Sequence, residues 1–417
     1  MRSRTWILSV LLVVPLAATA QTATWLGSWG ASPLPPGAAT QRFPATPGFG
    51  NQTIRQIVRL SAGGDRVRLR LTNEYGTQPL RIGAARVALA DGTGALAKGS
   101  EHAVTFAGKT SATIPAGAPL VSDPVDLRVA DLASLSVSLY FPDDTGQCTC
   151  HQVGLQEAYV SAAGDFTTGV FAPAQTLQAR AFLSGVEVQS ARAKAIVVLG
   201  DSISDGVGST AGANRRWPDL LAERLNARGG GTHWGVVNQG ISGNRVLLDG
   251  AGASALARLD RDILSVPGAA YVIVFEGVND LGRALGPPLP GSAPALAANG
   301  RPAPLVDPVF GSDLLIDGYR QIIARTHAHG LRIYGATIAP YEGATYWSGD
   351  GDKVRMAVND WIRKSGEFDG VLDFDAVLRD PAKPAQITDG LHAGDHLHGS
   401  DAGYRKVADS IDLKLFR

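Results

Sequence analysis

The chain has 417 residues, 45% of them hydrophobic and 18% charged, with 38 Lys+Arg against 38 Asp+Glu. That length supplies a large core and room for more than one domain. The zero net charge argues against a nucleic-acid partner, which selects for a basic face. Gly 50 and Pro 24 are high, but without a Gly-X-Y period they do not make collagen, and apolar patterning through most of the chain excludes a disordered one.

Arg2 and Arg4 precede an apolar run from Trp6 to Leu16, and Ala18-Thr19-Ala20 follows. A basic start, a short apolar stretch and an A-x-A site read as a secretory signal, with cleavage after Ala20. The run is too short to span a bilayer of about 30 Å comfortably. No later stretch reads as transmembrane, so the expectation is a secreted or periplasmic product without stable membrane insertion.

From Trp25 to Arg180 the apolar period is two. Val67, Leu69 and Leu71 alternate with arginines; Val125, Leu127 and Val129 alternate with Asp126 and Arg128; Leu135, Val137, Leu139 and Phe141 alternate with Ser136, Ser138 and Tyr140. Alternation with frequent turn clusters predicts an antiparallel β-sandwich, jelly-roll-like, over residues 21–190. Cys148 and Cys150 are the only cysteines. In an oxidising compartment they can form a tight local disulfide, and two free thiols are the alternative.

The pattern changes near residue 190. Ala195–Leu199, Val236–Val237, Tyr271–Phe275, Arg332–Ile338 and Val371–Phe374 are continuous apolar runs, the mark of strands buried on both faces. Helical spacing lies between them, as in Trp217-Leu220-Leu221-Leu225 and Leu314-Leu315-Tyr319-Ile322-Ile323. Alternating strands and helices predict a parallel-sheet α/β domain over 191–417. A Pro-rich stretch from Gly282 to Asp313 interrupts the rhythm and reads as a loop on the rim of a site.

Four segments carry the chemistry. Gly200-Asp201-Ser202-Ile203-Ser204-Asp205-Gly206 ends the first buried strand, Asn238-Gln239-Gly240-Ile241-Ser242-Gly243-Asn244 the second, and Gly277-Val278-Asn279-Asp280 the third. Asp395-His396-Leu397-His398-Gly399-Ser400 precedes the last helix. In open α/β sheets the carboxyl ends of the strands form the ligand crevice, so these segments converge. Asp205 reads as a helix cap in the turn after the first buried strand. His392 and His396, with Asp389 and Asp395, match no zinc spacing, and no metal or other cofactor is expected.

Together the four segments resemble the SGNH (GDSL) hydrolase superfamily across the whole second domain. The resemblance implies a flavodoxin-like three-layer α/β/α fold and a serine esterase working through an acyl-enzyme. It implies Ser202 as nucleophile, Asp395 and His398 as its partners, and an oxyanion hole of the Ser202 amide, the Gly240 amide and the Asn279 side chain. The last segment departs from the family's usual His-Pro-Asn by reading His398-Gly399-Ser400. The start Trp25-Leu26-Gly27-Ser28-Trp29-Gly30-Ala31-Ser32-Pro33, followed by a β-domain and then the hydrolase, looks like secreted SGNH acylhydrolases found alongside xylanases. The substrate expected from this is an ester on a polysaccharide or oligosaccharide. A lipase or lysophospholipase activity is one alternative, and a glycan-binding protein with a degenerate hydrolase domain another. Asn244, Tyr341, Tyr346 and Trp347 are the candidate substrate contacts, the aromatics as a wall for sugar or acyl groups. No pattern in the chain specifies an oligomeric state.

Overall fold

A computed structural model describes residues 23–37, 45–91, 96–287 and 310–417. The segment read as a secretory signal therefore lies outside the described residues, as does 288–309 of the Pro-rich stretch.

The N-terminal part is antiparallel throughout. Its strands are β1 (Thr24–Gly30), β2 (Gln52–Arg59), β3 (Arg66–Thr72), β4 (Leu80–Ile82), β5 (Ala84–Ala90), β6 (His102–Ala103) and β7 (Ala112–Ile114). They continue with β8 (Pro119–Val121), β9 (Ser134–Phe141), β10 (Cys150–His151), β11 (Ala158–Ala163), β12 (Pro173–Leu177), β13 (Arg180–Ala181) and β14 (Leu183–Ser190). One sheet runs β1-β14-β3-β8 and a second β12-β11-β2-β9-β5-β6; β10 pairs with β13 and β4 with β7. The period-two pattern is what builds them: Val67, Leu69 and Leu71 of β3 are fully buried, while Arg68 on the other face bonds Glu187 of β14 at 2.5 Å. The Val125–Val129 alternation is not a strand. Only single bridges form there, Val67 to Val125 and Gly64 to Val129. Cys148 and Cys150 are joined by a disulfide.

The C-terminal part holds a parallel sheet of β15 (Ala193–Gly200), β16 (His233–Gly240), β17 (Ala269–Phe275), β18 (Arg332–Ala336) and β19 (Gly370–Leu372). The spatial order is β16-β15-β17-β18-β19, the flavodoxin-like order of a doubly wound sheet. Its helices are α1 (Ser202–Asp205), α2 (Trp217–Ala227), α3 (Ala255–Leu259), α4 (Val278–Leu285), α5 (Ser312–Ala328), α6 (Gly349–Lys364), α7 (Phe374–Leu378) and α8 (Asp401–Ser410). In α2, Trp217, Leu220, Leu221 and Leu225 form the buried stripe and a proline sits in the first turn, where no amide is needed. Three readings change at element ends. The fourth strand stops at Ala336, and Phe374 opens α7 behind an Asp373 cap instead of closing a strand. Gly282 and Asp313 belong to α4 and α5, so the Pro-rich interruption is shorter than its composition suggests.

The two parts meet along β16, an edge strand of the parallel sheet. Edge strands leave backbone groups unpaired and need covering. Here Ser61 Oγ accepts from Val236 N at 2.8 Å, and β1 lies across the sheet with Gly27 N donating to Pro267 O at 2.9 Å. A Cβ on Gly235 would fall 2.1 Å from Gly27 O, so glycine lets the two backbones touch.

Candidate active site

The turn that carries Ser202, the expected nucleophile, follows from β15 ending in Gly-Asp-Ser. Asp201 caps α1, its Oδ1 accepting from Ile203 N at 2.9 Å. Ser202 is thereby the first helical residue, with an amide that no intrahelical carbonyl can reach. Gly206, at φ 98°, ends this four-residue helix. Asp205 does not cap it. Its Oδ2 accepts from Ser242 N at 3.0 Å and Ser242 Oγ at 2.7 Å, and its Oδ1 lies 2.9 Å from His151 Nε2.

His398 reaches the same point from the loop before α8. Its Nε2 is 2.8 Å from Ser202 Oγ, and its Nδ1 is 2.5 Å from Asp395 Oδ2. A carboxylate only accepts, so Nδ1 carries the ring hydrogen and Nε2 offers its lone pair to the serine hydroxyl. Asp395 Oδ1 also accepts from Leu397 N and His398 N, at 3.1 and 3.0 Å. Partial burial pushes the Asp395 carboxyl upward, but the hydrogen bond from His398 and the two amides outweigh it and hold the group well below the usual range. The neighbouring histidines shape the loop. His392 Nδ1 accepts from Gly394 N and His396 N, and the His396 ring lies tilted against His392 with ring centres 4.3 Å apart.

Of the donors expected for an oxyanion, Asn279 stands at the start of α4 with its amide fixed at both ends. Its Oδ1 accepts from Tyr346 OH at 3.2 Å and its Nδ2 donates to Asn244 O at 3.0 Å, which leaves one amide hydrogen unbonded among the described residues. Gly240 is different. Its N–H donates to Asn238 Oδ1 at 3.0 Å, so that donor is committed. The glycine is required for packing, because a Cβ there would lie 2.5 Å from Asp205 N. Three residues on, Gly243 takes φ +84° and its amide has no hydrogen-bond partner among the described residues. It directly precedes Asn244, whose carbonyl holds Asn279. Gly243, which sequence reasoning passed over, is thus the free amide of this segment.

The candidate substrate contacts are internal. Asn244 is buried and fully used: Nδ2 donates to Ala251 O and Ala253 O, and Oδ1 accepts from Arg258 Nε. Tyr341 is fully buried and Tyr346 is 7% exposed, with ring centres 6.0 Å apart. Trp347 is half-buried against the same core. These rings form no open wall; an aromatic cluster after a core strand packed inward, and Tyr346 serves the site by orienting Asn279.

The GDSL-like lipase/acylhydrolase family model matches residues 198–406, half of the chain, and spans every segment just described. A comparison with curated proteins gives no match. Among solved structures, the chain is similar to a lipase/acylhydrolase from Enterococcus faecalis at 18% identity and TM-score 0.38, over 52% of this chain and 92% of that one. It is similar to a variant of an acetyl xylan esterase from Geobacillus stearothermophilus at 20% identity and TM-score 0.38, over 53% of this chain and 94% of that one. A GDSL-like lipase from Bacteroides thetaiotaomicron matches at 14% identity and TM-score 0.38, over 53% and 87%. With a family match across half its length, the chain belongs to the GDSL-like lipase/acylhydrolase family and is a carboxylic ester hydrolase.

Proposed function

We propose that this protein is a secreted serine esterase that removes short acyl groups, acetyl foremost, from a polysaccharide or oligosaccharide. The observation that carries the esterase reading is the continuous line from Asp395 through His398 to Ser202 Oγ, with contacts of 2.5 and 2.8 Å. In this reading His398 takes the hydroxyl proton as Ser202 Oγ attacks the ester carbonyl, and returns it to the leaving alcohol as the acyl-enzyme forms. Asp395 holds the tautomer and the imidazolium that develops. The Ser202 amide, the Gly243 amide and the free Asn279 hydrogen receive the oxyanion, where each fixed donor is worth about 10²–10³ in rate. Water then repeats the sequence on the acyl-enzyme.

The basic and apolar start of the chain supports secretion, and a disulfide between Cys148 and Cys150 fits an oxidising compartment. We read the mature protein as residues 21–190 followed by a hydrolase part, 191–417. The segments that carry the site are small and polar in Ser242, Gly243 and Asn279, and Gly208 packs beside His398, where a Cβ would lie 3.4 Å from His398 Cβ. Such segments supply hydrogen bonds and little apolar surface.

The test is hydrolysis of p-nitrophenyl esters from acetyl to octanoyl, alongside acetate release from acetylated polysaccharide. Each methylene received by an apolar groove contributes about 0.8 kcal/mol, or roughly 5 kcal/mol over the six that separate the two acyl groups. Without such a groove, kcat/KM is expected to be highest for acetyl. Fastest turnover of octanoyl or longer esters would replace the carbohydrate reading with a lipase.

A further inference from the structure

A buried histidine of the antiparallel part bonds a carboxylate of the helix that carries Ser202. His151 belongs to β10, whose other residue, Cys150, is tied by its disulfide to Cys148. The histidine is 5% exposed, with Nδ1 3.0 Å from Ser32 O and Nε2 2.9 Å from Asp205 Oδ1. Both partners are oxygens that only accept. Each ring nitrogen therefore carries a hydrogen, and the ring is an imidazolium paired with a buried carboxylate. Burial opposes that charge, but the Asp205 carboxylate and the bonds to Asp205 and Ser32 outweigh it, raising the ring above its ordinary pKa. Nearby Arg216 has its own carboxylate, Asp219, at 2.7 Å, which leaves Asp205 to His151 and Ser242.

Asp205 lies three residues after Ser202 in α1, and Ser242 immediately precedes Gly243. One carboxylate thus joins the nucleophile helix, the loop bearing the free amide, and β10. We propose that His151 is a positioning residue for ester hydrolysis, holding Asp205 so that the Ser242–Gly243 loop keeps its amide in register with the Ser202 amide and Asn279. Oxyanion donors are effective because they are fixed before charge develops. A displacement of about 1 Å in such a site costs about 100-fold in rate. Without His151, the buried carboxylate keeps only the two donors of Ser242 and loses its counter-charge, so it turns or takes a proton and the loop loses its anchor.

The inference rests on the Ser202 esterase reading, and the experiment separates the two. His151→Gln in the full chain keeps a neutral donor but removes the charge. With p-nitrophenyl acetate, kcat is expected to fall 10- to 100-fold while KM changes less than threefold and the thermal transition persists. Asp205→Asn should give a similar fall. The double variant should be no more than threefold worse than the weaker single variant, because the pair acts as a unit. A kcat within twofold of the wild type, losses that simply multiply, or a loss matched by the unfolded fraction would overturn the proposal. Should His151→Gln fail to fold, Ser242→Ala removes one bond to Asp205 and no charge. Its kcat is expected to drop three- to tenfold at constant KM, and an unchanged kcat overturns the proposal. Ser202→Ala runs in parallel: retained activity there defeats the esterase reading, whereas an inactive Ser202→Ala beside a fully active His151→Gln defeats only the role of His151.

Discussion

Among the described residues Asn279 keeps a single amide hydrogen unbonded, because Tyr346 OH holds its oxygen and Asn244 O holds its other hydrogen, and the proposed mechanism gives that hydrogen to the oxyanion. Asn279→Ala removes a donor that matters only once the carbonyl oxygen gains charge, so kcat should fall about 10²–10³-fold with KM nearly constant. Steady-state kinetics on an acetyl ester decide this, and a change confined to KM would place the residue in ground-state binding. Tyr346→Phe removes only the bond that orients the amide. A neutral hydrogen bond is worth about 1 kcal/mol, so roughly a fivefold loss of kcat is expected. Ser202→Ala should leave only the residual rate that binding and the oxyanion donors supply, about 10³-fold or more below the wild type, in a protein that melts normally. At this scale the sequence led to Ser202, His398, Asp395 and Asn279 because each stands in a recognisable short segment. It could not separate Gly240 from Gly243, two glycines of one segment. Which amide stays free is decided by the Asn238 side chain folding back onto Gly240. Nor could it pair Asp205 of α1 with His151, 54 residues away in β10.

The strand ends around Ser202 gather buried acids. Asp201 follows β15, Glu276 follows β17, and Asp280 lies in the first turn of α4, all 3% exposed or less. Burial raises all three, and mutual repulsion adds to it for Asp201 and Glu276. Asp280 is pushed up to about 6, even with amide hydrogen bonds from Val246 and Leu247 pulling the other way. Among the described residues the two Glu276 carboxyl oxygens have no hydrogen-bond partner. A carboxyl whose pKa is higher in the folded chain binds a proton that the unfolded chain has released. Stability therefore declines as pH rises from the unfolded value near 4 through the folded one. His151, also raised, adds in the same direction, its contribution present below about 6.5 and lost as pH rises through its folded value. Asp395 works oppositely, stabilising above about 4 and losing that contribution as pH falls. The melting temperature should accordingly peak on the acid side of neutrality and decline toward pH 9. Glu276→Gln should flatten that decline and change little near pH 5; an undiminished slope would remove Glu276 as its source. The strands behind this cluster were legible as unbroken apolar runs. The length of α4 was not, because Gly282 reads as a breaker. It stands in the helix because the Tyr346 ring covers it, and a Cβ would lie 2.0 Å from Tyr346 Cδ2.

Across the whole molecule, the antiparallel sheets and the parallel sheet share one hydrophobic core, in which Leu26 and Trp29 of β1 and Val236 and Val237 of β16 take part. Hydrogen bonds across that seam include those of Ser61, Gly27 and Ser32, the last with its hydroxyl 2.8 Å from Gln239 Oε1. The run Val236–Val237 announces a buried strand, but only the assembled fold shows that a second sheet presses on Gly235 just before it. That contact gives a test of the seam as a unit. Gly235→Ala places a Cβ 2.1 Å from Gly27 O, a backbone atom that cannot rotate away, so β1 and β16 must part. Overpacking of this kind costs about 1–3 kcal/mol, which in a chain of this size is a drop of a few degrees in melting temperature. Gly349→Ala, where a Cβ meets open space, is the matched control and should melt as the wild type does. Because β10 and His151 ride on the same antiparallel body as β1, the seam variant should also lose kcat on an acetyl ester below its melting range, with KM little changed. A lowered melting temperature with full kcat would mean that the seam stabilises the fold without setting the geometry of the site. An unchanged melting temperature would mean that the two sheets do not touch at Gly235.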